Sequence, residues 1–428
     1  MKRATWILAL ALTAGRSASG QDLPAASVLP SWLDVDGEYR IRVEGIAGAR
    51  FQSENDDAWV LSRLRLGATF LPSKKWRAVV QVQDAHVFFK DQQPARPPFQ
   101  DVLDARLAFV EVGARSADGV RARIGRQEMA FGEQRLIGNA DWLNTARTFD
   151  AARVTLTRPH VTIDGFGGYV VRVVPAQLNI PEPGTMLFGL HAVIRDAAPH
   201  GTIEPYIFAR RTPNQLTETT GRDALHSATI GARWTATAPK SVDIGVEVAG
   251  QVGSIGSDRV RAWAGHWSAG VTKAQSPWKP RAFVEYNYAS GDDNARDGRR
   301  QTFDQLYATG HDKYGLADQI GWRNVHDLRI GSDLKPSRRL LATVRYHSWW
   351  IASTADAVYD ASGAVLTTAP AMVASRHIGQ EVDAQAIFSL PRLRVGAGYA
   401  RIFPGALLEA AIRAKPLSYP YVSLTVGL

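Results

Sequence analysis

Apolar and polar residues alternate along most of this chain. Arg63-Leu64-Arg65-Leu66-Gly67-Ala68-Thr69-Phe70 puts the leucines and Phe70 on one face and the arginines on the other. Val242-Asp243-Ile244-Gly245-Val246-Glu247-Val248-Ala249 does the same with acids. Thr229 to Thr235 and Gln380 to Ala386 repeat the pattern. A period of two reads as β-strand, and helical periodicity is nearly absent. The alternation predicts strands near 35–45, 59–70, 76–89, 102–113, 119–130, 149–158, 161–174, 185–196, 202–212, 225–238, 241–255, 259–274, 280–290, 324–335, 340–353, 377–390, 392–404 and 418–428, which is eighteen.

The connections between them alternate in length. Short turns fall at Leu71–Lys75, Ala114–Asp118, Pro159–His160, Ala197–Gly201, Ala238–Lys240, Gln275–Lys279, Pro336–Arg339 and around Pro391. Long polar connections fall at Phe131–Thr148, Pro213–Ala224, Gly291–Arg323 and Thr354–Arg376. Strands of about ten residues, with short turns on one rim and long loops on the other, describe a bacterial outer-membrane barrel. The expected fold is all-β: an 18-stranded antiparallel transmembrane β-barrel with short periplasmic turns and long extracellular loops. A propeller would repeat every 40–50 residues or so, and no such repeat is found. A soluble sandwich shows the same alternation, so the barrel rests also on the rhythm of the connections and on both chain ends. The last residues, Ser418 to Leu428, form an alternating strand suited to closing a barrel, although Leu428 stands where an aromatic is usual. Trp76, Trp234, Trp263, Trp267, Tyr286, Tyr288, Trp349 and Trp350 lie at strand ends or on apolar faces, as aromatic girdles at the membrane interfaces would.

The N-terminus reads as a secretory signal. Lys2 and Arg3 precede the apolar run Trp6–Gly15, and Ala18-Ser19-Gly20 resembles a cleavage site. The expected division is a signal peptide over 1–20 and a single barrel domain over 21–428. Residues 1–20 hold Lys2, Arg3 and Arg16 and no acid, so their removal lowers the formal charge from +9 to +6. There is no cysteine among the 428 residues, which excludes disulfides and cysteine-ligated metals. A secreted chain of this kind is a poor partner for nucleic acid.

An apolar face toward lipid leaves the other face lining the lumen. Strand by strand, that parity gives Arg40, Arg42, Arg63, Arg65, Arg106, Arg121, Arg123, Arg153, Arg210, Arg233, Arg281, Arg329, Arg345 and Arg394. It gives the acids Glu38, Glu44, Asp104, Glu204, Asp243, Glu247, Glu285, Asp327, Glu381 and Asp383. An arginine facing lipid at mid-bilayer would cost about 2–4 kcal/mol. Roughly half of the charges are expected to pair across strands and stiffen the wall. The surplus arginines would form a positive track, selective for anions, whose planar forks suit carboxylates.

Two stretches break the alternation. Gly125 to Leu156 concentrates charge and aromatics, with Arg126, Glu128, Glu133, Arg135, Asp141, Arg147 and Asp150 beside Phe131, Trp142 and Phe149. Its middle reads as a loop on the long-loop rim. Ser290 to Asn324 is a longer polar segment whose length suggests a loop folding over or into the mouth. Asp293, Asp297 and Asp304 loosely echo a calcium-loop spacing, but Ala295 stands where an oxygen ligand is needed. Neither H-E-x-x-H nor G-x-S-x-G occurs. His347 and Ser348 are adjacent on a strand and point to opposite faces. No enzyme, metal or cofactor is expected.

GRQEMAFGEQRLIGNADWLNTARTFDAARVTL resembles the signature of the alginate-export family of outer-membrane proteins. ASGDDNARDGRRQTFDQLYATGHDKYGLADQIGWRNVHDLRIG, GQEVDAQAIF and GYARIFPGALL resemble further blocks in the same order, and together they cover most of the mature chain. The resemblance implies an 18-stranded outer-membrane barrel with an arginine-rich lumen that passes an acidic polysaccharide. It implies that Arg126, Arg135, Arg147, Asp150 and Arg153 are pore-associated, and that Asp304, His311 and Asp312 belong to a mouth loop. The expected function is a passive outer-membrane channel for anionic polysaccharide or acidic saccharides. The alternatives are an uptake porin for small acidic solutes or oligosaccharides, and a structural or adhesive barrel. The expected partners are outer-membrane lipids, the barrel assembly machinery and periplasmic secretion proteins.

Overall fold

The computed structural model describes residues 29–91, 97–114, 118–198, 201–238, 241–369 and 375–428; the expected signal peptide lies outside them. Eighteen long strands follow one another. They are β1 (Leu33–Ile46), β2 (Asp57–Ser73), β3 (Trp76–Phe88), β4 (Asp101–Gly113), β5 (Gly119–Gln127), β6 (Phe149–Thr157), β7 (Val161–Arg172), β8 (Ile180–Ala198) and β9 (Gly201–Leu216). There follow β10 (Arg222–Ala238), β11 (Val242–Ile255), β12 (Asp258–Thr272), β13 (Arg281–Ala289), β14 (Val325–Ser337), β15 (Leu340–Ile351), β16 (His377–Leu390), β17 (Leu393–Pro404) and β18 (Leu417–Gly427). Each pairs antiparallel with the next. β18 then pairs with β1, from Glu38 opposite Gly427 to Glu44 opposite Tyr421. The barrel is therefore closed. Closure leaves no strand edge, so every wall amide can bond to a neighbouring strand where lipid offers none.

All eighteen expected strands are present, with ends displaced by a few residues. The largest correction concerns Pro213–Ala224. Its turn-forming residues read as a long loop, but β9 runs on to Leu216 and β10 starts at Arg222. Pairing with the neighbouring strand overrides turn propensity there. The length rhythm also breaks between β11 and β12, where only Gly256 and Ser257 join the strands on the long-loop side. Gly256 adopts φ +56° in that tight turn, where a side chain would be strained.

Wall parity follows the alternation. Val120, Ile124, Val154, Leu190 and Ile230 face outward and are exposed, whereas Arg42, Arg63, Asp327, His347 and Asp383 are buried on the inner side. Irregularities in β4 reset the parity twice, first between Asp101 and Asp104 and again at Arg106. Val82 pairs with Ala105 and Gln81 with Leu107, which leaves Arg106 as the extra residue. Asp104 and Arg106 above the bulge, and Phe109 and Glu111 below it, are consequently all buried.

The lumen is not uniformly polar. In its long-loop half an apolar core joins Met129, Phe131 and Ile137 to Phe303, Tyr314 and Trp322. Phe149, Phe208, Ile378 and the Leu407–Leu408 pair of the helix α1 (Ala406–Ile412) complete it. Trp349 belongs to this core and is 1% exposed, so it is not a girdle residue. Trp263, exposed on the outer face, packs against Tyr288 with ring centres 4.4 Å apart, in the girdle position.

Candidate functional site

Two loops build the interior. The β5–β6 loop, residues 128–148, and the β13–β14 loop, residues 290–324, carry large apolar side chains that need cover. Folding inward buries them against the inner wall and against each other. The charged segment around Gly125–Leu156 is thus more than a rim loop. Tyr307 donates to the Leu136 carbonyl (2.8 Å), Gly138 to the Tyr307 carbonyl (3.0 Å) and Thr309 to the Gln134 carbonyl (2.9 Å). Arg147 fastens the pair by donating to the carbonyls of Gly138 (3.1 Å), Ala308 (3.0 Å) and Tyr307. Burial without a carboxylate partner lowers the Arg147 pKa to about 10, which still leaves it charged at neutral pH.

The β5–β6 loop then presents Asp141 and Trp142 to four arginines of β1 and β2, three of which bond to Asp141. Arg65 donates to its carboxylate at 2.7 Å and Arg63 at 3.2 Å. Arg40 donates to the Asp141 carbonyl at 2.9 Å, and Arg42 to the Trp142 carbonyl at 2.7 Å. The Trp142 ring lies between Arg42 on one side and His311 on the other, at 3.8 Å from each. Burial works against a charged Asp141, but Arg63, Arg65 and Arg40 outweigh it and hold its carboxyl well below the usual range. The neighbouring acids are Glu38, which accepts from Arg63 at 2.7 Å, and Glu44, which pairs with Arg42. Arg40 has no carboxylate within 4.0 Å among the described residues. Asp141 and Glu38 are the open parts of this cluster, with side chains 45% and 36% exposed.

Most other predicted arginines carry a carboxylate, several of them from the inward loops rather than across strands. Arg106 pairs with Glu128, Arg123 with Glu111 (2.6 Å), Arg153 with Asp164 (2.8 Å) and Arg233 with Glu133 (2.8 Å) and Glu204. Arg329 pairs with Glu285 (3.0 Å), Arg345 with Asp312, Arg281 with Asp243 and Arg210 with Asp304. Arg135 is buried and bonds to Asn287 (3.2 Å) and Tyr314 (3.1 Å), with Glu133 at 3.3 Å. Arg121 and Arg394 keep inner parity near the short-turn rim, opposite Thr155 and Thr425.

Arg126 and Asp150 stand differently. They face each other across β5 and β6, three residues along from the inner pair Arg123 and Arg153, and so fall on the opposite parity. Arg126 grips Asp150 with bonds of 2.9 and 3.0 Å and donates to the Asn179 carbonyl at 2.8 Å. These contacts fasten the wall near the long-loop rim. Asp312 and His311 lie in the mouth loop, where His311 bonds to Asp318 at 2.8 Å. Asp304 is drawn inward by Arg210, while Asp297 accepts the Arg299 backbone N–H at 2.9 Å. The three aspartates of the calcium-like spacing are thus separated, and no cluster of metal-ligating side chains occurs among the described residues.

Several inner residues escaped sequence parity. Glu111 was hidden by the β4 bulge, which no local pattern announces. Asp164 was masked because Phe166 also faces inward, packed 5.2 Å from Phe131. His191 and His266 looked scattered, yet they meet Glu204 (3.3 Å) and Asn287 (2.8 Å). Asp141 was legible as charge but not as the partner of β1 and β2.

Charge is consequently segregated around the lumen. The β1–β2 side carries Arg40, Arg42, Arg63 and Arg65 against Glu38, Glu44 and Asp141. The far side mixes Arg233 and Arg281 with Glu133, Asp243, Glu285 and His266 around a polar space of about 650 Å³. A second space of about 220 Å³ is lined by Arg135, Asp312, Lys313 and Arg345.

Known proteins bear on this geometry. OpdQ of Pseudomonas aeruginosa superposes with a TM-score of 0.60 at 11% identity, over 92% of this chain and 97% of that one. OccAB1 of Acinetobacter baumannii gives 0.59 at 11%, over 92% and 96%. A BenF-like porin of Pseudomonas fluorescens Pf-5 gives 0.58 at 10%, over 92% and 98%. At such identities the likeness concerns the fold. No curated protein matches the chain. The family model described as alginate export matches residues 31–416. On that match and on the closed barrel, this chain belongs to the alginate-export family and is a channel protein of the bacterial outer membrane.

Proposed function

We propose that the channel passes short acidic saccharides and other carboxylate-bearing solutes, guided by the arginines of β1 and β2. The observation that carries this reading is the convergence of Arg40, Arg63 and Arg65 on the carboxylate and carbonyl of Asp141. The site already holds one carboxylate in charge-assisted bonds, so its chemistry suits others. Bidentate arginine forks in a low-dielectric wall concentrate anions more than they retain them, provided that successive sites are similar. Arg106, Arg123 and Arg153 line β4 to β6 beside it, each held by a carboxylate of its own.

The two inward loops favour short solutes. Phe303, Tyr314 and Trp322 are at most 1% exposed, so the mouth loops pack as a core and narrow the passage. A second reading, export of an anionic polysaccharide, is favoured by the family match over residues 31–416. A planar-bilayer experiment separates these readings. Under a salt gradient the channel is expected to be anion-selective. Arg40→Gln, Arg63→Gln and Arg65→Gln together should abolish that selectivity. Uronate monomers and short oligomers should block the current transiently from either side. An unchanged reversal potential in the triple variant would sink the arginine path, and transit of long chains would favour export.

A further inference from the structure

The outer wall carries a second basic feature that the lumen does not use. On the outer parity of β9 to β12, one hydrogen-bonded row contains Arg211, His226, Ser254 and Arg259. Arg211 is the register partner of His226, His226 of Ser254, and Ser254 of Arg259. The row continues into Arg299, which pairs with Arg259 through the two-residue strand Arg299–Arg300 of the mouth loop. One register step below lies Arg261, opposite Val252. Arg211, His226, Arg259, Arg261 and Arg299 are all exposed. Inner and outer parity are clear here, because the adjacent Arg210 turns inward to Asp304 and Val260 is buried.

Two other outward cations in the long-loop half have carboxylate partners. Arg126 is held by Asp150, and Arg172 by Glu182. Among the described residues, none of Arg211, His226, Arg259, Arg261 and Arg299 has a carboxylate within 4.0 Å. The acids near in sequence are engaged elsewhere: Asp223 accepts the Ala224 backbone N–H, Asp297 and Glu218 accept the Arg299 backbone N–H, and Asp258 accepts from Glu218 and Thr219. Strands lie about 4.8 Å apart, so the row from Arg211 to Arg259 spans roughly 14 Å.

The height of the row identifies its surroundings. Two register steps toward the barrel centre, the outer face reads Ile207, Ile230, Gly250 and Trp263. Ile207, Ile230 and Trp263 are exposed, and Trp263 packs against Tyr288, so this row belongs to the apolar belt and its girdle. The arginines stand about 13 Å further along the strands, on the long-loop side. That is headgroup level in the outer leaflet, where bacterial outer membranes carry phosphorylated glycolipid. An unpaired arginine row beside an apolar wall fits phosphates on an acylated disaccharide: the forks take the phosphates while the chains lie on Ile207, Ile230 and Val252.

We propose that Arg211, Arg259 and Arg261, with His226 and Arg299 beside them, form a binding site on the outer wall for the phosphorylated disaccharide headgroup of the outer-leaflet glycolipid. The test uses the full barrel reconstituted in nanodiscs with bis-phosphorylated lipid A, with the same lipid after dephosphorylation, or with phosphatidylglycerol, and reads retained lipid by native mass spectrometry. The wild type should retain bis-phosphorylated lipid A in preference to both others. Arg211→Gln, Arg259→Gln and Arg261→Gln together should weaken retention roughly 100-fold, at about fivefold per arginine. Heat-modifiable migration and unchanged single-channel conductance would show that the variant is folded and its lumen intact. Equal retention of dephosphorylated lipid, equal retention by the variant, or a preference for phosphatidylglycerol would each overturn the proposal. If the triple variant does not fold, Arg261→Gln alone, read in the same assay, should still lose about fivefold, and no loss would overturn it.

Discussion

Arg65 of β2 donates a 2.7 Å hydrogen bond to the carboxylate of Asp141, so one acidic side chain ties the basic wall to the inward loop. The same oxygen lies 3.2 Å from Arg63. Asp141 therefore masks part of the charge that an entering anion would meet. Asp141→Asn is expected to expose it and to raise anion over cation permeability about fivefold, the effect of roughly 1 kcal/mol at one contact distance. Reversal potentials in a salt gradient measure this, and an unchanged or cation-shifted value would argue against the masking.

The ionised Asp141 also stabilises loop docking, and the sign of its pH dependence follows. Its pKa in the folded chain lies below the unfolded value of about 4. The stabilisation is fully present above about pH 4 and fades only as pH falls through the lower, folded value. Glu133 behaves alike, because Arg135, His266 and Arg233 outweigh the burial that would raise it. Conductance and protease resistance of the β5–β6 loop should hold constant from pH 7 to about 4.5. A midpoint between pH 5 and 7 would contradict this.

Lys313 predicts the opposite trend at alkaline pH. Burial, aided by Arg135, lowers its pKa to about 8. The unfolded side chain titrates near 10.4, so the unfolded state binds more protons between these values. Docking of the β13–β14 loop should strengthen as pH rises from about 8 to 10. Gating noise in single-channel records should fall across that window, and Lys313→Met should remove the dependence.

Arg147 is the clamp between the two loops. Arg147→Met leaves the carbonyls of Gly138, Tyr307 and Ala308 without their shared donor. The loss is expected to cost about 3 kcal/mol of loop docking. The barrel itself should persist, because its wall bonds are untouched. Larger, noisier conductance and faster proteolysis within residues 301–324 are the expected readouts, and a wild-type record would show that the clamp is dispensable.

Glu381 offers a complementary test from the wall. Its carboxylate accepts the Leu316 and Ala317 backbone N–H groups, which seats the mouth loop on β16. Glu381→Ala orphans two buried donors, at about 1–3 kcal/mol each. The mouth loop should loosen while the β5–β6 loop keeps its bonds to β1 and β2. Hydrogen exchange at Leu316 and Ala317 would report this selectively.

The sequence alone determined the barrel and most of its wall. A period of two, repeated eighteen times, states which residues meet lipid, because charge on that face is expensive over the whole belt. Arg63 and Arg65, alternating with Leu64 and Leu66, needed no tertiary information to be placed inside. What the sequence could not state is which charges remain available once the lumen is filled. The loop residue that Arg40 and Arg63 share, Asp141, lies 78 or more residues away in a segment whose fold has no period. The β4 bulge inverted parity at Glu111, and three consecutive steps beyond Arg123 carried Arg126 to the other face. Strand identity is a local property of alternation, whereas pairing inside a closed barrel depends on register and on loops that return through it. Only the tertiary structure decided that the charge of the β5–β6 loop is folded inward, clamped by Arg147 and set against the arginines of β1 and β2.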